Sequence, residues 1–312
     1  MALLRPRAKA FGRFLLRGFL DYLMTVRAEY MWSLPSRKLL LGQRTLLMGI
    51  LNVTPDSFYD GGRYLKLADA IAQGVKMEEE GADLIDVGGE STRPPHRQVL
   101  PAAEEIRRVI PVIEALKKRV RVPIAIDTYK AQVAQTAISA GAEIINDIGG
   151  FRLDPELRAV AAQRKTGVIL MHSRGKAASL HSSPGVKNIN RAVMESLERS
   201  IKRAVRAGIK RQQLIVDPGF GFGKTTEENW ILLKNLSRLR VLGLPLLVGA
   251  SRKSFVGKVL GESDNGRLIG SLACATIAIM TGVHILRVHD VRETLQIAKV
   301  CDTVMYPLKK GR

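Results

Sequence analysis

Eight short apolar runs, each followed by an amphipathic segment, constrain the fold of this chain more than any other feature. The runs are 47–52, 84–87, 124–127, 144–147, 168–172, 214–217, 246–251 and 285–290. Stretches this short and this continuously apolar suit strands buried on both faces of a parallel sheet. The segments between and after them, 67–80, 103–118, 130–140, 154–163, 190–207, 228–239, 267–281 and 291–300, repeat their apolar residues at helical spacing. Each can therefore bury one face against a sheet. Eight β/α units in a row predict an α/β fold of the TIM (β/α)8 barrel type, closed rather than open and doubly wound. Such a barrel takes about 250 residues, so the 312 residues here, 46% of them hydrophobic, cover one barrel and an extension. No run reaches the roughly 18 apolar residues of a membrane span. The closest, 268–283, contains Ser271, ends at His284 and reads as a buried helix.

The first 35 residues break the pattern. Arg5, Arg7, Lys9, Arg13 and Arg17 precede the first acid, Asp21, and alternate with Phe11, Phe14, Leu15, Phe19 and Leu20. That is the composition of a basic amphipathic helix. It lacks the unbroken apolar core of a signal peptide, and no serine precedes Ser33, which argues against a transit peptide. Contact with a membrane surface and packing on the domain both remain open. The stretch 38–46 reads as a short hairpin turning at Gly42 and closing the barrel floor. The expected organisation is a basic amphipathic extension over 1–35, a barrel over 36–308 and a basic tail over 309–312. A net charge of +20, from 49 Lys and Arg against 29 Asp and Glu, would suit a phosphate backbone. The basic residues are spread along the chain, however, and form no recognisable nucleic-acid module. A solvated basic surface that favours small anionic substrates is the expectation, with no specific nucleic acid as partner. Cys274 and Cys301 lack C-x-x-C spacing, which points away from a disulfide framework or a zinc site and towards a cytoplasmic setting.

Polar residues stand at the ends of the runs: Asn52, Asp86, Asp127, Asn146, Asp147, His172, Asp217, Ser251, His289 and Asp290. Active sites of this barrel type are built on that rim. Any one of these residues could merely cap a helix or form a turn. Their recurrence at nearly every strand points instead to a shared cleft. After 214–217 comes the glycine-rich stretch Asp217-Pro218-Gly219-Phe220-Gly221-Phe222-Gly223-Lys224-Thr225. Neither a Walker loop nor G-x-G-x-x-G fits it, because Pro218 and Lys224 stand where those patterns need glycine. A carboxylate ending a buried strand, followed by glycines that let a flat ligand approach the backbone, suggests a pocket for a polar heteroaromatic ring.

Several motifs together resemble a known family. Met48-Gly49-Ile50-Leu51-Asn52-Val53-Thr54-Pro55-Asp56-Ser57-Phe58 through Gly61-Gly62, and Asp86-Val87-Gly88-Gly89-Glu90-Ser91-Thr92-Arg93-Pro94, are similar to the dihydropteroate synthases, a pterin-binding family. Further matches are Ile126-Asp127-Thr128, Asn146-Asp147-Ile148, Met171-His172, Asp217 to Lys224, Ser251-Arg252-Lys253-Ser254 and Arg287-Val288-His289-Asp290, in the family's order over roughly 36–305. The resemblance implies a transferase of folate biosynthesis that joins 6-hydroxymethyl-7,8-dihydropterin diphosphate to 4-aminobenzoate, releasing diphosphate. One ionised carboxylate can accept the paired amino and ring N–H of a pterin, and Asp217 is the candidate. By the same resemblance Asn146 reads the adjacent edge, Lys253 donates to the pterin oxygen and ring nitrogen, Asp127 lies against the ring and Phe222 flanks it. Asn52, Arg93, Arg287 and His289 face the diphosphate, with Mg²⁺ bridging Asn52 and that group. Phe58, Thr92, Pro94 and Ser254 form the aminobenzoate site. Asp127, Lys253, Arg287 and His289 are the implied catalytic set, and a homodimer through the late helices, on a surface containing Gly270, Ser271, Ala273 and Ala275, is implied as well.

The chain departs from the family in places. Ser173 follows the Met-His pair where methionine is usual, Pro95-His96 replaces Gly-Ala, Tyr59 replaces a small polar residue, and Glu228 stands where histidine is common. None removes a residue assigned to chemistry. Competing expectations are a non-catalytic pterin-binding paralogue, a folate-binding methyltransferase-like barrel and a basic nucleic-acid-binding protein. The methyltransferase reading is disfavoured by Asn52 and by the Arg287/His289 pair. Arg252 and Lys253 open a predicted helix, where cations oppose the dipole, so an anion or ligand is expected beside them.

Overall fold

The computed structural model describes residues 27–53, 63–90, 99–175, 184–261 and 267–306. The amphipathic pattern of residues 1–26, the basic tail, and Phe58, Thr92, Arg93 and Pro94 lie outside the described residues. Two short antiparallel strands come first, β1 (Tyr30–Ser33) and β2 (Lys38–Leu41). Then follow β3 (Leu46–Asn52), α1 (Arg63–Glu79), β4 (Leu84–Gly88), α2 (Ala102–Lys117), β5 (Ile124–Asp127), α3 (Ala131–Ala140), β6 (Ile144–Asp147), α4 (Leu157–Arg164), β7 (Gly167–Met171) and α5 (Ile189–Arg206). The last part holds β8 (Leu214–Asp217), α6 (Thr226–Lys234), β9 (Leu247–Val248), α7 (Ser254–Leu260), α8 (Leu268–Met280), β10 (Ile285–Val288) and α9 (Val291–Met305).

The eight strands β3 to β10 are parallel and lie in the order β8-β7-β6-β5-β4-β3-β10-β9. A parallel bridge between Val216 and Leu246 joins the two ends, so the sheet is a closed barrel ringed by helices. Alternation along each strand gives it two interfaces. Leu47, Leu51, Ile85, Val87, Ile124, Ile126, Ile145, Val168, Leu170, Leu214, Val216, Leu286 and Val288 belong to the large core shared with the helices. The alternate residues Leu46, Met48, Leu84, Ala125, Ile144, Ile169, Ile215, Leu247 and Ile285 form a second, separate core inside the barrel, completed by Trp32, Leu34 and Leu41 from the hairpin. Trp32 donates its indole N–H to the Gln213 carbonyl at 2.9 Å. Gly167 leaves room for this plug, since a Cβ there would stand 2.4 Å from Leu34 Cδ2.

The hairpin closes the floor as expected, but it turns at 34–37 rather than at Gly42. Pro35 supplies the preset φ at the second position of that turn, closed by Leu34 N donating to Arg37 O at 2.9 Å. Gly42, at φ +112, lets the backbone pass close to Ala28, whose carbonyl oxygen lies 2.6 Å from where a Cβ would be. The expected boundary at residue 35 thus falls inside the turn of the hairpin. Two other expectations shift. The run 246–251 contributes only Leu247–Val248 as strand, because the chain leaves the ladder through Gly249 into a turn where Arg252 has φ 54. The segment 228–239 splits into α6 and a 3-10 helix, Leu236–Leu242. On α8, Ser271 and Ala275 are buried within the chain and Gly270 abuts Val256 and Leu260. Of the expected surface Ala273 is exposed, and it lies between Ile269 and Ile277, 77% and 44% exposed, on one outward apolar face with Val259 and Leu260 beside it. Among the described residues no helix is long and apolar enough to cross a membrane.

Candidate active site

The inward row that is apolar at the floor turns polar at the rim. Two positions beyond Leu84, Ala125, Ile144, Ile215 and Ile285 stand Asp86, Asp127, Asn146, Asp217 and Arg287. Strand pairing staggers them: Asp127 lies opposite Asn146, Asp86 one inward step lower opposite Ala125, Asp217 one step higher opposite Met171, and Arg287 opposite Met48. Five of the eight runs therefore carry a second message within the first: a hydrophobic position inside, then a polar one.

Arg287 is the hub. Its Nε donates to Asp86 Oδ2 at 2.5 Å and its Nη2 to Asp127 Oδ2 at 2.6 Å. One guanidinium cannot neutralise two carboxylates held this close. Burial pushes the Asp127 carboxyl up to about 7, Arg287 and Lys253 opposing the rise while Asp86 and Glu105 add to it. Arg287, although buried, is held cationic by Asp86 and Asp127. Asn146 Nδ2 donates to the same Asp86 oxygen at 2.9 Å. Asn52, at the end of β3, points its Oδ1 to within 3.8 Å of the place a Cβ would occupy on Gly88, where Asp127 Oδ2 also lies 3.8 Å away. Among the described residues no group of three or more His, Cys, Asp or Glu could hold a metal. Any cation here would rest on the hard oxygens of Asn52 and its neighbours, the donor type that magnesium takes together with substrate phosphates and water.

Asp217 is 4% exposed, and its Oδ1 accepts from Gly219 N at 2.7 Å. Burial raises it to about 6, against the pull of that N–H and of Lys224, Arg287 and Lys253. The glycine-rich stretch wraps around the buried Lys224 ammonium, which donates to the carbonyls of Gly219 at 2.6 Å, Phe222 at 3.2 Å and His172 at 3.3 Å. Each N–H of the ammonium thus has an acceptor, although burial drives the lysine well below its ordinary pKa. Arg174, from the stretch after β7, donates its Nε to Gly223 O and pairs in a fork with Glu228. Glu228 in turn accepts from Val186 N at 2.7 Å and Thr225 N at 2.8 Å, completing a capping box at the start of α6. The departure to glutamate at 228 is thereby explained: it meets an arginine.

Phe222 is buried with Tyr129, Ile148 and Met171 in a small rim cluster, whereas Phe220 stacks on Phe255 in the outer core. Lys253 places its ammonium 4.2 Å over the Phe222 ring. Arg252, expected to sit by an anion, pairs with Asp290. Ser251 Oγ lies 3.0 Å from His289 Nδ1 and accepts from His289 N at 3.2 Å. Ser254 is the exposed first residue of α7. His172 is buried, and its surroundings push its pKa far down, so it is a neutral structural residue. Asp147 accepts from Gly149 N at 2.7 Å and Phe151 N at 2.5 Å and serves the turn after β6. Glu90, at the near end of 91–98, accepts from Lys130 Nζ at 2.6 Å and from Leu100 N at 3.2 Å.

Asn52, Asp127, Asn146, Asp217, Phe222, Lys253, Arg287 and His289 therefore share one end of the barrel, in the mouth above the inner core. Asp86, Lys224, Arg174 and the use of Glu228 as a tie were missed as working parts. For Asp86 the signal was present, since it occupies the same inward position as its assigned neighbours.

The mouth of this barrel gathers buried carboxylates and an amide beside a paired arginine, polar groups of the kind that can meet the edge of a heteroaromatic ring. The family model for pterin binding enzymes matches residues 48–289, and the chain belongs to that family. Its relatives there are dihydropteroate synthases. The one from Synechocystis sp. is 45% identical over 264 residues, 84% of this chain and 91% of its own. A solved dihydropteroate synthase from Xanthomonas albilineans with 4-aminobenzoic acid is 41% identical, covering 89% of this chain and 99% of its own, with a TM-score of 0.83. Another, from Clostridium difficile in the presence of pteroic acid, is 44% identical over 85% of this chain and 98% of its own, with a TM-score of 0.80.

Proposed function

We propose that this chain catalyses the dihydropteroate synthase reaction, condensing 6-hydroxymethyl-7,8-dihydropterin diphosphate with 4-aminobenzoate, with the roles that follow. The observation carrying this reading is the inward-facing set of Asp86, Asp127, Asn146, Asp217 and Arg287, the first three tied together with Arg287 by hydrogen bonds, at the mouth of a barrel whose floor is sealed. Ionised Asp217 accepts the amino and ring N–H of the pterin, and Asn146 takes the adjoining edge. Lys253, held over Phe222, donates to the pterin oxygen and ring nitrogen. Phe222 covers one face of the ring. The carbon–oxygen bond to diphosphate breaks with its electron pair leaving on oxygen, and a cation forms on the exocyclic carbon. Asp127 stabilises that cation, while Arg287, His289, Asn52 and Arg93 stabilise the departing charge. The aniline nitrogen of 4-aminobenzoate then forms the new carbon–nitrogen bond and loses a proton. Phe58, Thr92, Pro94 and Ser254 hold the aminobenzoate.

Magnesium bound at Asn52, with ligands from the diphosphate and water, would supply further positive charge to the leaving group. The chemistry of the Asn52 and Asp127 oxygens supports this choice. A homodimer is proposed through the α7–α8 face, where Ile269, Ile277, Val259 and Leu260 are exposed. Light scattering that finds only monomer overturns the dimer. A cytoplasmic location agrees with two free, buried cysteines.

Release of diphosphate from the pterin substrate, followed with and without 4-aminobenzoate and Mg²⁺, tests the reaction. Turnover that needs all three components is the expected result, and no release under any condition overturns it. In the same assay Asp217→Ala loses pterin binding, whereas Arg287→Ala retains the pterin but fails to expel diphosphate.

A further inference from the structure

Resting on the pterin-binding reading above, we propose that Asp86 is a positioning residue that dictates which end of the Asn146 amide meets the ligand. It thereby makes the pocket select a ring bearing an exocyclic amino group. Asp86 is fully buried on the inward row of β4. One of its oxygens, Oδ2, accepts from both Asn146 Nδ2 at 2.9 Å and Arg287 Nε at 2.5 Å. The two ends of an amide side chain have nearly the same shape, so only their partners decide the orientation. A carboxylate oxygen already taking a guanidinium N–H has no hydrogen to give. Asn146 must therefore turn its NH2 towards Asp86 and its carbonyl away.

That carbonyl oxygen, Asn146 Oδ1, is buried and has no hydrogen-bond partner among the described residues. Asn146 itself is only 3% exposed, so water does not readily serve the orphan. A ligand donor completes it. Asn146 on β6 and Asp217 on β8 stand on either side of β7, whose Met171 lies opposite Asp217. Asn146 stands opposite Ile169, so the two acceptors line the mouth from the strands flanking β7, one inward step apart. An exocyclic amino group carries two hydrogens, one for each. A ring with a carbonyl in that place sets oxygen against oxygen twice, which is a stronger rejection than a missing contact. Asp217 alone cannot enforce this, because an Asn146 free to rotate would offer its NH2 to the intruding carbonyl.

The experiment is a fluorescence titration of pterin and of lumazine, the same bicycle with a carbonyl in place of the amino group. Three proteins are compared: wild type, Asp86→Asn, and the exchange variant Asp86→Asn with Asn146→Asp. Wild type should prefer pterin. In Asp86→Asn the new amide can donate to Asn146 Oδ1 and let it turn, so the preference should shrink by about tenfold, the worth of one hydrogen bond of the wrong sense. In the exchange variant the carboxylate introduced by Asn146→Asp has only acceptors to show, and the preference should return to within about threefold of wild type. A merely structural role predicts that both rings weaken together in Asp86→Asn with their ratio kept, and that result overturns the proposal alone. Should Asp86→Asn fail to fold, the exchange variant, which keeps the same groups and charge, decides: loss of its pterin preference overturns the assignment. Wild type binding neither ring overturns the functional reading itself.

Discussion

Asp217 and Asp127 hold their protons longer than surface carboxylates because burial strips water from the ionised form. The consequence for Asp217 has a definite sign. Its pKa in the folded state lies near 6, above the ordinary 3.8, so the folded protein binds that proton more tightly than the unfolded chain does. The stability it contributes is complete below about pH 4 and is lost as pH rises through about 6. Asp217→Asn keeps an acceptor for Gly219 N yet never charges. It should melt above wild type at pH 8, with the gap closing by pH 4, as calorimetry across that range would reveal. Pterin recognition runs the other way, since it needs the ionised carboxylate. Wild-type affinity for pterin, followed by fluorescence, should fall as pH drops through about 6, approaching tenfold per unit below it. An affinity indifferent to pH between 5 and 8 would remove Asp217 from the role assigned to it. At this scale the sequence disclosed the polar side chains that stand at the mouth, because their place at the end of an apolar run is visible in contiguous residues. It did not disclose Asp86 as a partner of Asn146 and Arg287, because those residues are distant in the chain and meet only across the barrel.

The stretches after β7 and β8 behave as one element. Lys224 reaches back to His172 O, and Arg174 reaches forward to Gly223 O and Glu228. Their approach is close enough that a Cβ on Gly219 would lie 2.0 Å from His172 O, at a backbone φ of +68. Gly208 has φ +90 but nothing within 4 Å of its Cβ position. Gly208→Ala should therefore cost only the left-handed strain of an L residue, about 1–2 kcal/mol. Gly219→Ala adds a collision with backbone and should cost more than about 4 kcal/mol, with pterin binding lost. Denaturant titration of the two variants measures the difference, and equal costs would show that the stretches are not locked together. Glu228→Ala leaves Arg174 and two backbone N–H groups without their shared acceptor, which should cost about 2–4 kcal/mol. Glycine spacing made a tight loop legible in advance. What the loop closes around was not legible, since a lysine inside a cage of carbonyls looks in sequence like any surface lysine.

Among the described residues the two ends of the barrel are separate in their physics: the mouth is polar, while the floor is apolar and sealed by the hairpin. The N-terminal side of that seal is itself fastened, for Arg27 N donates to Tyr306 Oη at 2.6 Å and Asp302 accepts from Thr45 N at 2.6 Å. Trp32, 1% exposed, is the largest side chain of the plug. Trp32→Ala should cost about 3–5 kcal/mol in denaturant unfolding. Pterin affinity of the folded fraction should stay within about twofold, because a cavity at the floor leaves the rim in place. Loss of binding in step with stability would mean the two ends are coupled after all.

The sequence by itself determined the barrel, its eight strands and the family of its rim, because two-faced burial and polar strand ends are local patterns carried by contiguous residues. It also placed a hairpin beneath the barrel. The tertiary structure decided where that hairpin turns, which face of α8 is left bare, and how Asp86, Arg287, Asp127 and Asn146 share their hydrogen bonds. Those outcomes depend on which distant side chains compete for the same space or the same oxygen. Such competition is settled only when the strands close into a ring.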